Sequence, residues 1–249
     1  CYTPFISSVS GQTTTTAVIK AQGSAEATEF QFTINGETRT SNTNTITWTG
    51  LEAGNEYSVT VAAKCGEEQT ATSAPYKFRT RCNPLELPYE DKFEAGNTSK
   101  ECWITTTPLA TADQTYAGTD AVLMNGGSSY ILPELAMTDV RNYELSFMVY
   151  GLSLNNQFNV GVLADPSDVA SFSTAKVVNV KEKELWREVV VTFEDVVAGH
   201  ENDKFIAFNL PVGQSIIVDN LLVRQKPACQ KVTNLDVIVY GDELDVTWE

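Results

Sequence analysis

Hydrophobic and polar residues alternate along much of the first 81 residues. The alternation has a period of two, is clearest in residues 30–34, 57–63 and 76–78, and is interrupted by Gly, Asn and Pro. A period of two places successive side chains on opposite faces of a strand. Short strands separated by turn residues at this spacing predict a β-sandwich for residues 1–81.

The same alternation continues through residues 82–226, in five further segments: 145–149, 158–162, 189–193, 206–208 and 216–218. A strand-rich stretch of about 145 residues is too long for an immunoglobulin-like module but suits a jelly roll. The pattern therefore predicts two β-modules in series. The length of 249 residues also suits two domains rather than one.

After Lys226 and Pro227 the alternation begins again, at positions 232, 235, 237, 239, 244, 246 and 248, and the sequence then ends. Two strands cannot bury their own apolar face. We therefore interpret residues 227–249 as the first strands of a truncated third β-module. The whole chain is then expected to be a monomeric segment of a longer protein.

A net charge of −15 and a pI of about 4.5 narrow the classes of partner. Nucleic-acid-binding proteins need clustered Lys and Arg, and the sequence has no such cluster, so we expect no nucleic acid partner. An anionic membrane surface would repel the chain, and no uncharged apolar run reaches the ~18 residues of a transmembrane segment. The acidity fits a soluble extracellular surface or a site that holds hard cations through carboxylates.

Catalytic motifs are absent from the sequence. Its only histidine, His200, lies in the polar segment 199–203, where solvation is a simpler interpretation than a catalytic triad. Clustered zinc ligands, a phosphate-binding loop and a dinucleotide-binding motif are all missing. A glycosidase-type pair of carboxylates depends on a three-dimensional separation that a sequence does not give. We predict that this chain is not an enzyme.

Exposed aromatic rings are the remaining candidates for a binding site, because sugar-binding modules stack their ligands on such rings. The candidates are Trp103, Tyr116, Tyr130, Tyr150 and Trp186. Trp103 follows a cysteine and Trp186 begins an alternating strand, so both are expected to be packed. Tyr116 and Tyr130 lie beside Gly and Ser turn residues. We predict these two tyrosines as ligand-binding positions, with ordinary packing as the alternative.

Residues 51–61 carry the most specific pattern of the first module. This segment resembles the E–F corner of a fibronectin type III domain, in which a tyrosine hydroxyl hydrogen-bonds to the backbone upstream. The resemblance covers nearly all of the first module and implies that Tyr57 occupies the corner and Leu51 the core. Ile19 replaces the tryptophan usual on strand B. Trp48 is expected to refill part of that volume, with an exposed ligand platform as the alternative.

An ordered set of motifs spans the second module, at residues 87–96, 102–103, 118–124, 132–135, 186–189, 205–208 and 217–221. Together they resemble the MAM-like or cleaved-adhesin jelly rolls of bacterial surface proteins, and the related jelly-roll carbohydrate-binding modules. In those relatives a glutamate near the first strand and an aspartate near the last hold a structural calcium ion. The resemblance implies Glu94 and Asp219 as calcium ligands, with ordinary turn carboxylates as the alternative.

The five cysteines follow the module boundaries. Cys1, Cys82 and Cys229 lie where modules begin, and each complete module holds an even number of cysteines, which fits an oxidising compartment. In a fibronectin-like sandwich the start of strand A and the end of strand F lie at the same pole, which implies a Cys1–Cys65 disulfide. Cys82 and Cys102 flank the opening strand of the second module and are expected to pair. Cys229 would pair with a cysteine beyond residue 249.

These inferences describe an all-β chain. Its parts are a fibronectin type III-like sandwich at 1–81, a larger jelly-roll β-sandwich at 82–226 and a truncated third β-module at 227–249. The resemblances imply a non-catalytic adhesin or binding scaffold of a multidomain bacterial protein, extracellular and either secreted or on the cell surface. Its partner would be a host or bacterial surface protein or a polysaccharide. The alternative is a carbohydrate-binding accessory region of a larger secreted hydrolase.

Overall fold

Two β-sandwiches follow one another along the chain. The computed structural model describes residues 1–97, 99–196 and 198–227, together with the backbone of residues 236–240 and 243–247. Within these described residues, helical structure is limited to short 3₁₀ turns at Ser99–Cys102, Val140–Asn142 and Val169–Ser171. None of the described helices has the length and apolar character needed to cross a lipid bilayer. The predicted all-β fold is confirmed.

Eight strands form the first sandwich: β1 (Phe5–Ser10), β2 (Thr16–Gln22), β3 (Glu29–Ile34), β4 (Glu37–Ser41), β5 (Thr45–Thr49), β6 (Glu56–Cys65), β7 (Glu68–Gln69) and β8 (Tyr76–Arg79). One antiparallel sheet has the order β1-β2-β5, and the other has the order β4-β3-β6, with β7 and β8 both paired to β6. Every second side chain of β3 is buried, because Phe30, Phe32 and Ile34 face the opposite sheet. The period of two thus appears directly in the core.

Tyr57 closes the turn between β5 and β6. Its hydroxyl accepts a hydrogen bond from the backbone N–H of Glu52 at 2.8 Å, and Leu51 is buried beside it in the same core. This is the contact that the fibronectin type III resemblance implies. The family assignment itself stays a prediction.

Trp48 packs inside the first sandwich. Its side chain is 2 % exposed, and it belongs to the same buried cluster as Ile19. The Arg39 guanidinium covers the ring at 4.3 Å from its centroid. The alternative of an exposed ligand platform at Trp48 is therefore wrong.

Eleven strands form the second sandwich: β9 (Tyr89–Asp91), β10 (Ile104–Thr105), β11 (Ala110–Ala112), β12 (Ala121–Met124), β13 (Ser128–Ile131), β14 (Tyr143–Gly151), β15 (Asn156–Leu163), β16 (Ser173–Val180), β17 (Trp186–Thr192), β18 (Phe205–Leu210) and β19 (Ile216–Gln225). One sheet, the β19 sheet, has the order β11-β12-β19-β14-β17, with β9 also paired to β19. The other, the β18 sheet, has the order β10-β13-β18-β15-β16. All of these strand pairings are antiparallel.

The β19 sheet carries apolar side chains on both faces. Val122 and Met124 on β12 enter the main core, whereas Leu123 between them belongs to a smaller cluster on the outer face. That outer-face cluster consists of Ala112, Ala121, Leu123, Tyr150, Leu152, Trp186 and Ile217. The sheet therefore offers a partly apolar surface that the second sheet does not cover.

Both expected disulfides are present. Cys1 pairs with Cys65 with a Cα–Cα distance of 6.0 Å, and Cys82 pairs with Cys102 at 5.6 Å. Cys229 and its expected partner lie outside the described residues. Strands β20 (Asp236–Tyr240) and β21 (Glu243–Thr247) pair antiparallel, so the pattern of strands resumes after the second sandwich. Their assignment to a third module stays a prediction.

Arg81 joins the two sandwiches. Its backbone N–H donates to Thr13 and its carbonyl accepts from Gly54, each at 3.0 Å, and both partners lie in the first sandwich. Its guanidinium reaches Asp165 in the second sandwich at 3.3 Å and lies 5.7 Å from the Phe205 ring. Arg81 therefore bonds to the first sandwich through its backbone and to the second through its side chain.

Candidate functional site

The two predicted calcium ligands lie on and beside adjacent strands of the β19 sheet. Asp91 on β9 is paired with Leu221 on β19. Glu94 lies shortly after Asp91 in the chain, and Asp219 lies shortly before Leu221 on β19. Asp219 is fully buried and Glu94 is half-buried. Next to Asp219 the β14–β19 register is irregular and Asn220 has a φ of +47°. Such irregularities re-aim the side chains beside them.

A loop between β11 and β12 binds both carboxylates. We call residues 116–119 the Tyr116 loop. Asp219 Oδ2 accepts the N–H of Tyr116 at 2.8 Å and the next N–H of the chain at 3.2 Å. Glu94 accepts the N–H of Thr119 at 3.0 Å and its hydroxyl at 2.6 Å. The structure therefore joins Glu94, Asp219 and Tyr116, which the sequence placed far apart.

Gly118 permits this close approach. Its φ is +72°, a conformation that glycine adopts without steric cost. A Cβ at this position would overlap Glu94 Oε1. A larger residue would therefore displace the Glu94 carboxylate from the Tyr116 loop.

Uncharged donors satisfy both carboxylates. The Thr119 hydroxyl, and after it the Thr119 backbone N–H, hold the pKa of Glu94 below its usual value. Asp219 receives a third backbone hydrogen bond, from Asn220 at 2.7 Å. A buried carboxylate needs such partners, since an unpaired buried charge is costly. Here the partners are the backbone of the Tyr116 loop and of β19 itself.

Calcium binding at this site stays a prediction. Calcium takes about six to eight oxygen ligands, and the described residues contain no group of three or more His, Cys, Asp or Glu side chains arranged to hold a metal. Asn220 contributes a buried side-chain oxygen that has no hydrogen-bond partner. Asn220 follows Asp219 in the chain, and its side chain, like those of Asp219 and Glu94, offers oxygen, the ligand type that a hard cation takes. Glu94 and Asp219 would hold the ion, which when bound would neutralise their charge.

Asp91 forms a hydrogen-bonded centre that the sequence analysis did not identify. It is fully buried. Its Oδ1 accepts the Phe93 N–H at 2.9 Å and the Asn97 amide at 2.8 Å, and its Oδ2 accepts the hydroxyls of Tyr89 at 2.9 Å and Ser99 at 2.7 Å. These bonds order the segment after β9 that carries Glu94.

The sequence contains one signal of this centre: Tyr89, Asp91 and Phe93 occupy every second position. In an extended chain this spacing places the aspartate on the same face as two large aromatic rings. Burial, and then the charge of Asp91, raise the pKa of Tyr89 well above its usual value. Trp103 Nε1 donates to the Tyr89 hydroxyl at 3.1 Å. Trp103 is buried, so the expectation that it is packed is confirmed.

The prediction that Tyr130 binds a ligand is wrong. Its side chain is 0 % exposed and lies in the main core between the two sheets. Its hydroxyl accepts the backbone N–H of Asn125 at 2.7 Å. Gly126 and Gly127 form a turn, but Ser128 and Ser129 already belong to β13, and this strand directs the tyrosine ring inward.

Tyr116 is the exposed member of a cluster of three aromatic rings. Its side chain is 51 % exposed, and its ring packs edge-on against Trp186 with 5.9 Å between centroids. Trp186 in turn lies 5.4 Å from Tyr150, its cross-strand neighbour on β14. Trp186 and Tyr150 are both half-buried. We call Tyr116, Trp186 and Tyr150 the aromatic cluster; the ligand-binding role of Tyr116 stays a prediction.

A groove of about 400 Å³ lies beside Tyr116 on the outer face of the β19 sheet. It is lined by Glu90, Lys92, Tyr116, Ser146, Phe147, Met148, Glu188, Asn220 and Leu222. Its volume lies in the range of small-ligand sites, which is about 300–1,000 Å³. Sequence patterns did not reveal this groove, because its residues come from four different strands and the loops beside them.

His200 lies in a short polar segment and contacts an acidic side chain. Its Nδ1 bonds to Asp203 at 2.6 Å within the segment that precedes β18. In the part of the chain that the structure describes, no serine hydroxyl or cysteine thiol is hydrogen-bonded to this histidine. Among these residues, the histidine–aspartate pair lacks the bonded nucleophile that completes a catalytic triad.

Comparisons with known proteins identify similar folds. No family model matches the chain, and no curated protein sequence matches it. Among solved structures, a cleaved adhesin domain of Lys-gingipain from Porphyromonas gingivalis is 15 % identical, with coverage of 57 % of this chain and 99 % of the domain and a TM-score of 0.42. A CBM22-1 xylan-binding domain from Paenibacillus barcinonensis is 15 % identical, with 57 % and 95 % coverage and a TM-score of 0.41.

The CBM22-1–CBM22-2 tandem domain of the same organism is 11 % identical, and the match covers 86 % of this chain and 79 % of the tandem with a TM-score of 0.42. Adhesin domains and carbohydrate-binding modules are thus among the proteins to which this chain is similar. Fibronectin type III and MAM-like membership stay predictions. At this level of similarity no function follows from the matches.

Proposed function

We propose that this chain is a non-catalytic, extracellular binding protein whose second sandwich binds polysaccharide through the outer face of the β19 sheet. The aromatic cluster is the observation that carries this proposal. A tyrosine residue that is 51 % exposed, with its ring against a tryptophan and beside a groove, is a surface on which a sugar ring can stack. The accessory carbohydrate-binding role is therefore favoured over an adhesin for a protein partner.

The aromatic cluster is suited to stacking because its exposed ring is preorganised. Trp186 packs against the Tyr116 ring at a steep angle, and Asp219 accepts a hydrogen bond from the Tyr116 backbone. A binding group that is already held in place loses little conformational entropy when its ligand arrives. An exposed tyrosine on a free loop would lack this advantage.

An extracellular location is supported by the two disulfides, because such bonds persist in oxidising compartments. The acidic chain, with a net charge of −15, is consistent with a soluble surface domain.

Affinity electrophoresis and calorimetry against a panel of soluble polysaccharides test the proposal. We expect saturable binding to at least one polysaccharide, and a loss of about tenfold or more in affinity for Tyr116→Ala, since aromatic groups at the centre of a site carry much of the binding energy. Tyr76→Ala is the matched control, because Tyr76 is an exposed tyrosine on the first sandwich.

Equal binding by wild type and Tyr116→Ala would overturn the proposed site. Failure of the whole panel to bind would instead favour the adhesin, whose loops and strand edges would contact a protein partner. Thermal melting of both variants establishes that each remains folded.

A further inference from the structure

We infer that the groove beside the aromatic cluster selects an uncharged glycan chain, and that Glu90 and Glu188 recognise the hydroxyl groups of this chain. The inference rests on the proposed function and names its ligand class. Three features of the groove indicate an uncharged glycan: its walls are acidic, its floor is neutral, and Tyr116 lies at one side.

The groove crosses the sheet from β9 to β17. Leu222 on β19 is paired with Glu90 on one side and with Ser146 of β14 on the other, and Met148 of β14 is paired with Glu188 of β17. Three strand-to-strand steps of ~4.8 Å span about 14 Å between the outermost strands. That length exceeds a single sugar ring, so a chain of linked sugars suits the groove better than a monosaccharide.

The floor of the groove is amphipathic. Met148 and Leu222 supply apolar surface, while Ser146 and Asn220 supply a hydroxyl and an amide, and all four are half-buried. A sugar ring has the complementary character, because its C–H faces are apolar and its hydroxyl groups form a polar rim. Ligand sites commonly combine an apolar lining with a few polar groups that orient the ligand.

The charge at the groove walls is negative. Glu90, Glu188 and Lys92 are exposed there, so two carboxylates face one ammonium, and the Lys92 ammonium lies 3.2 Å from the Glu90 carboxylate. Carboxylates accept hydrogen bonds from sugar hydroxyls, and O–H···O⁻ bonds are stronger than neutral ones. A uronate or a sulfated sugar would instead place like charges together.

Binding assays with matched glycans test this ligand class. The neutral probes are xylan, mixed-linkage β-glucan, galactomannan and starch, and the charged probes are polygalacturonate and chondroitin sulfate. We expect binding to at least one neutral probe and none to the charged probes. We also expect less than about a twofold change in Kd between low and high salt, since no ion pair forms with the ligand.

Glu188→Gln and Glu90→Gln keep the shape of each side chain and remove its charge. Each is expected to weaken neutral-glycan binding by about fivefold or more, because a charged acceptor becomes a neutral one. Glu68→Gln, on the exposed strand β7 of the first sandwich, should bind like wild type.

The outcomes separate the two proposals. Strong, salt-sensitive binding of a charged probe that Tyr116→Ala abolishes would overturn the neutral ligand class and leave the proposed polysaccharide site intact. Unchanged neutral-glycan binding in both glutamate variants would overturn their recognition role. Neutral-glycan binding that does not depend on Tyr116 would overturn the proposed site itself.

Discussion

Asp91 binds four hydrogen-bond donors, and all four are uncharged. The donors come from both sides of the aspartate along the chain, from Tyr89 on β9 to Ser99 in the following 3₁₀ turn. Because the carboxylate is fully buried, water cannot replace any donor that is lost. This single residue therefore organises the segment from which Glu94 reaches the Tyr116 loop.

Replacement of this carboxylate by an amide tests its structural role. In Asp91→Asn, one oxygen becomes an NH₂ group that faces two hydrogen-bond donors. We expect a loss of about 2–3 kcal/mol in the free energy of unfolding, the range typical of unsatisfied charged hydrogen bonds. Urea denaturation provides the measurement.

Glu90→Gln is the adjacent control, because Glu90 is exposed on the opposite face of β9. Its stability should stay within about 0.5 kcal/mol of wild type, as for most surface substitutions. Equal stability of Asp91→Asn and Glu90→Gln would show that the buried network contributes little.

At the scale of elements, the Tyr116 loop depends on two strands that are not its neighbours in sequence. β9 leads to Glu94 at one end of the loop, and β19 carries Asp219 at the other. Strands β11 and β12 only deliver the loop to this region. Its conformation, and with it the direction of the Tyr116 ring, is determined by carboxylates from elsewhere in the sheet.

Calcium is predicted to stabilise this arrangement. A ligand that binds only the folded state stabilises it in proportion to the logarithm of its concentration. We expect the melting temperature in calcium to exceed that in EDTA by about 5 °C or more. Differential scanning calorimetry would show the difference.

Asp219→Asn should abolish the calcium-dependent shift, because it removes a charged oxygen ligand. Asp113→Asn, an exposed change in the same connection between β11 and β12, should retain the shift. If wild type melts at the same temperature in calcium and in EDTA, Glu94 and Asp219 act only through the backbone of the Tyr116 loop.

At the scale of the whole molecule, the junction between the sandwiches is short and bonded on both sides. Arg81 reaches Asp165, and Arg79 lies 3.0 Å from Glu101, so two ion pairs link the first sandwich to the second. The Cys82–Cys102 disulfide begins directly after Arg81. These contacts leave little free chain between the two cores.

We therefore expect the two sandwiches to tumble as one body at neutral pH. NMR relaxation should give the same rotational correlation time for both in wild type, and different values in the double variant Arg79→Ala/Arg81→Ala. The paired change is needed because one partly exposed ion pair contributes only about 0–1 kcal/mol. Lys77→Ala, which removes an ion pair within the first sandwich, is the control.

Acid should loosen the same junction. The Ser167 hydroxyl and N–H, and after them Arg81, hold the pKa of Asp165 below its usual value of 3.8. A lowered carboxyl pKa stabilises the folded form above the usual value, and this contribution is lost as pH falls through the folded-state pKa.

Separate tumbling of the sandwiches at neutral pH in wild type would contradict a rigid junction.

Much of the fold was predictable because it depends on short-range patterns. Alternation along β3 and β14 identifies strands, since the period of two is a property of the backbone itself. The Tyr57 corner and the Cys1–Cys65 disulfide followed from resemblance to a known sandwich, and the Cys82–Cys102 disulfide followed from the position of both cysteines beside one strand. The residues that contribute to the candidate site were harder to assign, because each depends on a distant partner.

Tyr116 and Tyr130 show where prediction from sequence ends. Both lie beside small turn residues, and the sequence alone treats them alike. Tyr130 is buried because its strand lies inside the β18 sheet with the ring facing the opposite sheet, whereas Tyr116 is exposed because two carboxylates hold its loop on the outer face. Asp91 was missed for a related reason: only its partners explain a buried charge.

The sequence by itself determined the strand pattern, the all-β class, the acidic surface and the cysteine positions, because each depends only on the order of neighbouring residues or on composition. Only the tertiary structure decided which aromatic ring is exposed and that Glu94 and Asp219 hold one loop. It also assembled Glu90, Met148 and Glu188 into a single groove. Pairing between strands brings distant segments together, and the register of that pairing selects the face on which each side chain lies.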